Sequence, residues 1–217
     1  MVERLSVGPL SVNTYILAEG RACILVDPGD EAERILSFMD SRSLVPSIIV
    51  ATHGHLDHTA AIPELLCAWK ERGIAVPLAA HAEDAAFFGA EGRETNRRLF
   101  KSIGDSHFFE AFWRELPPLD LRLADGQALP VSGFRVIHSP GHSRGSICLY
   151  DEASSVLVSG DCLFRDGVGR TDFPDSDPAA LAASLKRLFK LPPRTRVLPG
   201  HGPETSIGRE SGSVDEG

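Results

Sequence analysis

At 217 residues, with 42% apolar and 24% charged side chains, the chain has the size and composition of a globular fold with a substantial core. A formal net charge of −8 argues against wrapping a nucleic acid, and the only basic run, Arg97-Arg98-Leu99-Phe100-Lys101, reads as a solvated helix face. No apolar run reaches the ~20 residues of a membrane span, and MVERLSVGPL lacks the basic start and long apolar stretch of a secretion signal, so a cytoplasmic protein is expected.

Along the chain, RLSVG, NTYILAE and ACILVDPG read as strands, and DEAERILSFMD reads as a helix with acidic residues in its first turn. SIIVATH is a buried strand. TAAIPELLCAWKER is an amphipathic helix that tolerates Pro63 only near its start. VPLAAH, LRLAD, ALPVSG, FRVIHSP, SICLYDE, SVLVSGD and TRVLPGHG supply further strands. DPAALAASLKRLFKL is a helix with an aspartate cap, Pro in its first turn and Pro192-Pro193 behind it. This alternation predicts an α/β protein with helices on sheet faces, built from two β-rich halves packed sheet against sheet in one domain spanning 1–217.

Two segments stand apart. Residues 82–119 form a helical excursion holding six of the eleven phenylalanines and Trp113, read as core in the first place and as a lid in the second. The polar, small-residue tail at 211–217 is expected to be disordered. Cys23, Cys67, Cys148 and Cys162 form no C-x-x-C pair and sit in or beside apolar runs, so they are expected to be buried free thiols.

Four apolar runs end in polar side chains of metal-ligand type: SIIVAT in His53, FRVIHSPG in His142, SVLVSG in Asp161 and TRVLPG in His201. Functional groups gather at the carboxyl ends of strands in α/β sheets. Thr52, Gly141, Gly160 and Gly200 precede these residues and let the backbone turn tightly. With His55, Asp57 and His58 of HGHLDH, the constellation holds five imidazoles and two carboxylates, donors that zinc, iron(II) or manganese accept. Seven ligands exceed one tetrahedral zinc and suit two ions. His53 and His55 can reach one ion and Asp57 and His58 a second, with Asp161 as the natural bridge between ions about 3.5–4 Å apart. His81 and His107 read as packed or solvated side chains. His138 reads equally as a residue orienting a ligand or as a satisfied buried histidine.

THGHLDH, SPGHSRGS, VSGD and LPGHG resemble the metallo-β-lactamase superfamily, whose fold is an αββα sandwich of two mixed sheets flanked by helices. The likeness runs from VNTYIL and VDPGD to GPETSIG. GRTDFP at 169–174 and the chain length are most similar to the compact type II glyoxalases, hydroxyacylglutathione hydrolases without an added domain. The resemblance implies two divalent metal ions, zinc first with iron or manganese as alternatives. His53, His55 and His142 would hold one, Asp57, His58 and His201 the other, and Asp161 would bridge. It further implies attack of a bridging hydroxide on the thioester of a small S-acylglutathione such as S-D-lactoylglutathione, with Asp57 and Asp161 as the catalytic carboxylates. Asn13 matches a family position and reads as a turn residue, Asp27 as a structural carboxylate near the site, and Arg170 with Asp172 as a salt bridge shaping a loop.

Full-length relatives contact glutathione through a C-terminal helical region that is not expected here, where SGSVDEG follows soon after His201, and the 82–119 excursion is longer than expected in the compact ones. The excursion is therefore expected to shape the acyl or thiol pocket. The nearest rival is a mononuclear iron persulfide dioxygenase, for which His53, His142 and Asp161 would suffice. Lactonases, and a metal-binding protein without turnover, are further readings. A dizinc β-lactamase would use a cysteine where Asp161 stands, and Cys162 is expected to point away.

Overall fold

In a computed structural model, which describes residues 1–131 and 133–212, two mixed sheets pack face to face with helices on both outer sides. The first sheet runs in chain order: β1 (Val2–Val7), β2 (Val12–Glu19), β3 (Ala22–Val26), β4 (Val45–Val50), β5 (Leu78–His81) and β6 (Leu121–Leu123). Its first three strands are antiparallel and β3 to β6 are parallel. The second sheet combines β7 (Arg135–His138), β8 (Ile147–Asp151), β9 (Val156–Gly160), β12 (Arg196–Pro199) and β13 (Thr205–Ser206) in the order β13-β12-β9-β8-β7. Between β9 and β12 a small hairpin forms from β10 (Leu163–Phe164) and β11 (Gly167–Val168).

Strict alternation explains this layering, because successive strand side chains point to opposite faces. Tyr15, Leu17, Ile24, Val26, Ile48 and Val50 meet Val136, Leu149, Val158 and Leu198 in the core between the sheets. Their neighbours Ile16, Cys23, Leu25, Ile49 and Leu78 point outward, to α1 (Ala32–Ser41) and α3 (Ile62–Glu71), which return Ile35, Met39, Leu65 and Trp69. On the far side, Leu157 and Val197 pack on α6 (Pro178–Leu188) and α7 (Ile207–Gly212). The Asp177 side chain caps α6 by accepting from Ala179 N and Ala180 N at 2.8 and 3.0 Å.

The excursion is two short 3-10 segments, Ala82–Phe87 and Gly89–Glu91, followed by α4 (Gly92–Ser102) and α5 (Ser106–Phe112). Phe87, Phe88, Phe100 and Phe109 are buried in the outer core, and Phe108, Phe112 and Trp113 pack against it.

Four expectations need correction. ALPVSG forms no strand over its described residues: Ala128 makes an isolated bridge to Arg135, Pro130 has no N–H to donate, and Leu129 N turns back to Phe134 O. The helix expected from Thr59 is split into α2 (Leu56–Thr59) and α3, with Pro63 in the first turn of α3. Cys67 is exposed, because it lies off the buried Ile62-Leu65-Trp69 stripe; Cys23, Cys148 and Cys162 are buried, and all four are free. Of the tail, Ser211 and Gly212 belong to α7, and 213–217 lie outside the described residues. No helix among the described residues is long and apolar enough to cross a membrane.

Candidate metal centre

The seven side chains converge at one edge of the sandwich. His53 follows β4, and His55 is the N-cap of the one-turn α2 that carries Asp57 and His58. His142 follows β7, Asp161 follows β9 and His201 follows β12. The ligand atoms of His53, His55 and His142 lie within 4.8 Å of one another, as do those of Asp57, His58 and His201. Asp161 stands between the two groups. Its Oδ1 is 3.4 Å from His58 Nε2, and its Oδ2 is 3.6 Å from His201 Nε2 and 3.7 Å from His142 Nε2. The backbone must pass close here: a Cβ on Gly200 would lie 2.2 Å from Asp161 Oδ1, and Gly160 takes φ +49°.

Hydrogen bonds behind the site orient the rings. His142 Nδ1 donates to Arg170 O and His201 Nδ1 to Leu10 O, both at 2.9 Å. His58 Nδ1 donates to Asp27 Oδ2 at 3.1 Å. The Thr52 hydroxyl donates to the same oxygen at 2.7 Å and so accepts from His53 Nδ1 at 3.1 Å. These partners fix the proton on Nδ1 in four rings and turn Nε2 inward. His55 is reversed, with Nδ1 3.0 Å from His142 Nε2. Asp27 is fully buried at φ +49°, held there by Thr14 Oγ1 on its carbonyl and by Thr52 N on Oδ1.

Electrostatics divides the centre. Burial and the neighbouring imidazoles push His53 and His55 well below the usual histidine range, so both are neutral at pH 7. Burial also opposes charge on His58 and His201, but for His58 the attraction of Asp161, Asp57 and Asp27 prevails. The Asp57 hydrogen bond and Asp161 do the same for His201, and both are raised. Asp57 and Asp161 are held below the ordinary carboxylate range, His58 overcoming their burial.

The residues present fit divalent ions. His53 Nε2 and Asp161 Oδ1 are buried without any hydrogen-bond partner, lone pairs turned toward their fellow ligands. Leaving such acceptors unpaired is costly, and a cation among imidazole and carboxylate donors satisfies them.

A profile of the metallo-beta-lactamase superfamily matches residues 7–201. The chain belongs to that superfamily. It is 33% identical over 201 residues to the hydroxyacylglutathione hydrolase GloC of Haemophilus influenzae, covering 87% of this chain and 84% of that one. Among solved structures it is similar to the BLEG-1 B3 metallo-beta-lactamase, with TM-score 0.82, 30% identity and 98% and 97% coverage. It is also similar to TTHA1623 in a di-iron-bound form, with TM-score 0.77, 39% identity and 96% of each chain covered. Membership and the ligand cluster together support a hydrolase that uses divalent metal.

The remaining residues singled out in the sequence fall as follows. Asn13 is not in a turn but inside β2, where Nδ2 donates to Pro199 O at 2.9 Å and Gly202 O at 2.8 Å and clamps the His201 loop. His138 touches no ligand: its Nε2 meets Arg144 O at 2.9 Å and its ring stacks on His81 at 3.8 Å. His107 is exposed. Arg170 and Asp172 form a two-pronged ion pair at 2.6 Å, and the guanidinium lies 4.7 Å over Phe173, whose ring edges His55. Cys162 packs with Leu163 and Leu181 on the outer side of the second sheet.

Asp84 went unnoticed in the sequence. Fully buried in the excursion, it accepts from Gly54 N at 2.9 Å, Ser143 Oγ at 2.7 Å and Gly145 N at 2.6 Å, tying the HGH loop to the loop of His142. Burial pushes its carboxyl up to about 6, against the pull of these three donors. One acid within AEDAAF carries no sequence signal for this role.

Proposed function

We propose that the protein hydrolyses the thioester of a small S-acylglutathione at a binuclear metal centre. The observation that carries this reading is the pair of three-ligand groups sharing Asp161, in a chain similar along most of its length to a hydroxyacylglutathione hydrolase. His53, His55 and His142 would hold one ion, Asp57, His58 and His201 the other, and Asp161 both. When bound, such ions supply Lewis acidity and a nucleophile from water at neutral pH.

The chain's own residues do the rest. Asp27, Thr52 and the carbonyls of Leu10 and Arg170 hold the imidazoles in orientation. Phe87 and Phe173 wall His55 with ring centroids at 5.6 and 4.8 Å and keep water from that side. Asp57 and His201 are the more open ligands, 15% and 27% exposed, so substrate enters past them. A mononuclear dioxygenase would leave Asp57, His58 and His201 without use.

The test is the steady-state hydrolysis of S-D-lactoylglutathione by protein loaded with zinc, iron or manganese, followed by loss of thioester absorbance. A kcat/KM of about 10⁴ M⁻¹s⁻¹ or more with two ions bound is the expected result. A negligible rate, with turnover of a lactone, a β-lactam or a persulfide by the same protein, would replace the thioester reading.

A further inference from the structure

A tight crevice lies on the Asp57 side of the candidate metal centre, between the β1–β2 turn, α2 and α5. Its volume is about 10 Å³, roughly what a single water fills, so it has room for one group such as a terminal methyl. Asp57 stands in its wall, and so does Leu10, whose carbonyl accepts from His201 Nδ1 at 2.9 Å. Asp57 and His201 are the open ligands, 15% and 27% exposed, so the crevice adjoins the path by which substrate enters.

Its walls are largely apolar: Val12 from β2, Leu56 and Ala60 from α2 and its C-cap, and Phe108 and Phe112 from α5. Asp30, the other acid in the lining, accepts from Glu31 N at 2.7 Å. The aromatic wall is braced. Phe108 stacks on Phe112 with ring centroids at 4.5 Å and on the buried Phe100 at 5.3 Å, and Asp105 caps α5 by accepting from Phe108 N at 3.2 Å. Core packing accounts for Phe109, the buried residue of α5, but leaves Phe108 and Phe112 half-buried beside a candidate ligand.

A thioester held at the centre extends in two directions, toward its acyl end and toward its thiol carrier. A crevice the size of one methyl group admits no carrier, so it takes the acyl end, and the carrier lies out past His201. In an apolar slot, one methylene more or less changes selection by about 10–200-fold. Resting on the thioester reading above, we propose that this crevice receives the acyl end of the substrate, and that Phe108 and Phe112 limit it to a short chain with an apolar tip. The 82–119 excursion then measures the acyl group.

The experiment compares kcat/KM of the metal-loaded full chain on S-acetyl-, S-propionyl-, S-butyryl- and S-hexanoyl-N-acetylcysteamine, in which only the acyl group varies. The wild type is expected to prefer acetyl or propionyl over hexanoyl at least tenfold. Phe108→Ala and Phe112→Ala are each expected to raise the hexanoyl-to-acetyl ratio tenfold or more, and Phe108→Trp to lower the propionyl-to-acetyl ratio. Phe108→Leu keeps an apolar side chain and should raise the hexanoyl ratio by a smaller factor if the alanine variant does not fold. Circular dichroism and metal content check fold and centre in each. A wild type that takes hexanoyl as readily as acetyl overturns the proposal and leaves the thioester reading intact. So do rates that fall together in every folded variant with the ratios unmoved, because that marks the two rings as packing alone. Nitrophenyl esters of the same acids read acyl selection without a thioester. If the wild type cleaves these and no thioester, and the variants shift the ratio, the thioester reading fails and the acyl crevice stands. Cleavage of neither series with two ions bound overturns both.

Discussion

The two halves of the candidate metal centre would share Asp161 and have three further candidate ligands each, yet they are different chemical environments. His53, His55 and His142 are imidazoles at 1–3% exposure, and burial among like groups keeps the first two neutral. Asp57, His58 and His201 mix a carboxylate with two imidazoles that hold protons, and Asp57 and His201 are reached by solvent. A cation meets His53 and His55 in the first group without displacing a proton from either. In the second it competes with protons that Asp27, Asp57 and Asp161 have drawn onto the rings. Equal ligand number therefore does not mean equal affinity, and pH separates the halves.

The largest test removes what they share. Asp161→Ala takes away the one carboxylate, among the described residues, that lies within 4 Å of imidazoles from both halves. Hydrolysis is expected to fall by at least about 10³-fold with metal content below two, while circular dichroism shows the fold retained. Full activity in a metal-checked Asp161→Ala protein would falsify the bridging role.

Next in size is the pH effect that separates them. His58 and His201 are raised above 6.5, so lowering the pH from 7.5 to 6 leaves more protons to be displaced by the second ion. Each displaced proton costs about tenfold in affinity per pH unit below its pKa. The weaker-binding ion should lose tenfold or more across that interval, and the tighter one little, because His53 and His55 lie below 6.5. Calorimetry in buffers of different ionisation enthalpy counts the protons released. Equal pH dependence of both ions would sink the assignment of protons to the second half.

The comparison also shows which part of the centre was legible in the sequence. The seven candidate ligands sit on strand ends or within HGHLDH, so periodicity and small residues before the turn were enough to anticipate that they come together. The alternation that builds both sheet faces was equally local, and it separates Leu17 and Val26 from Ile16 and Leu25 without long-range information. What orients the ligands was not legible. The Leu10 and Arg170 contributions are backbone carbonyls, which no side-chain pattern reports. Asp84 acts across 59 and 61 residues on Ser143 and Gly145, a contact only the folded excursion creates. ALPVSG had strand-like composition, but Pro130 and the turn back to Phe134 decided otherwise.

Asn13 gives the smallest and most selective test, because it touches only the second half. Its amide donates to Pro199 O and Gly202 O, on either side of His201, from a position 2% exposed in β2. Alanine there leaves two carbonyls without this donor, a cost of about 1–3 kcal/mol in stability. The loop it releases presents His201, so the second ion should bind about tenfold more weakly. His53 and His142 are held by the Thr52 hydroxyl and the Arg170 carbonyl, and the Asn13 amide donates to Pro199 O and Gly202 O instead, so the first ion should bind as before. Metal titration of Asn13→Ala beside a thermal melt reads both effects. Equal weakening of both ions would mean that the halves are coupled through the sandwich rather than held by separate clamps.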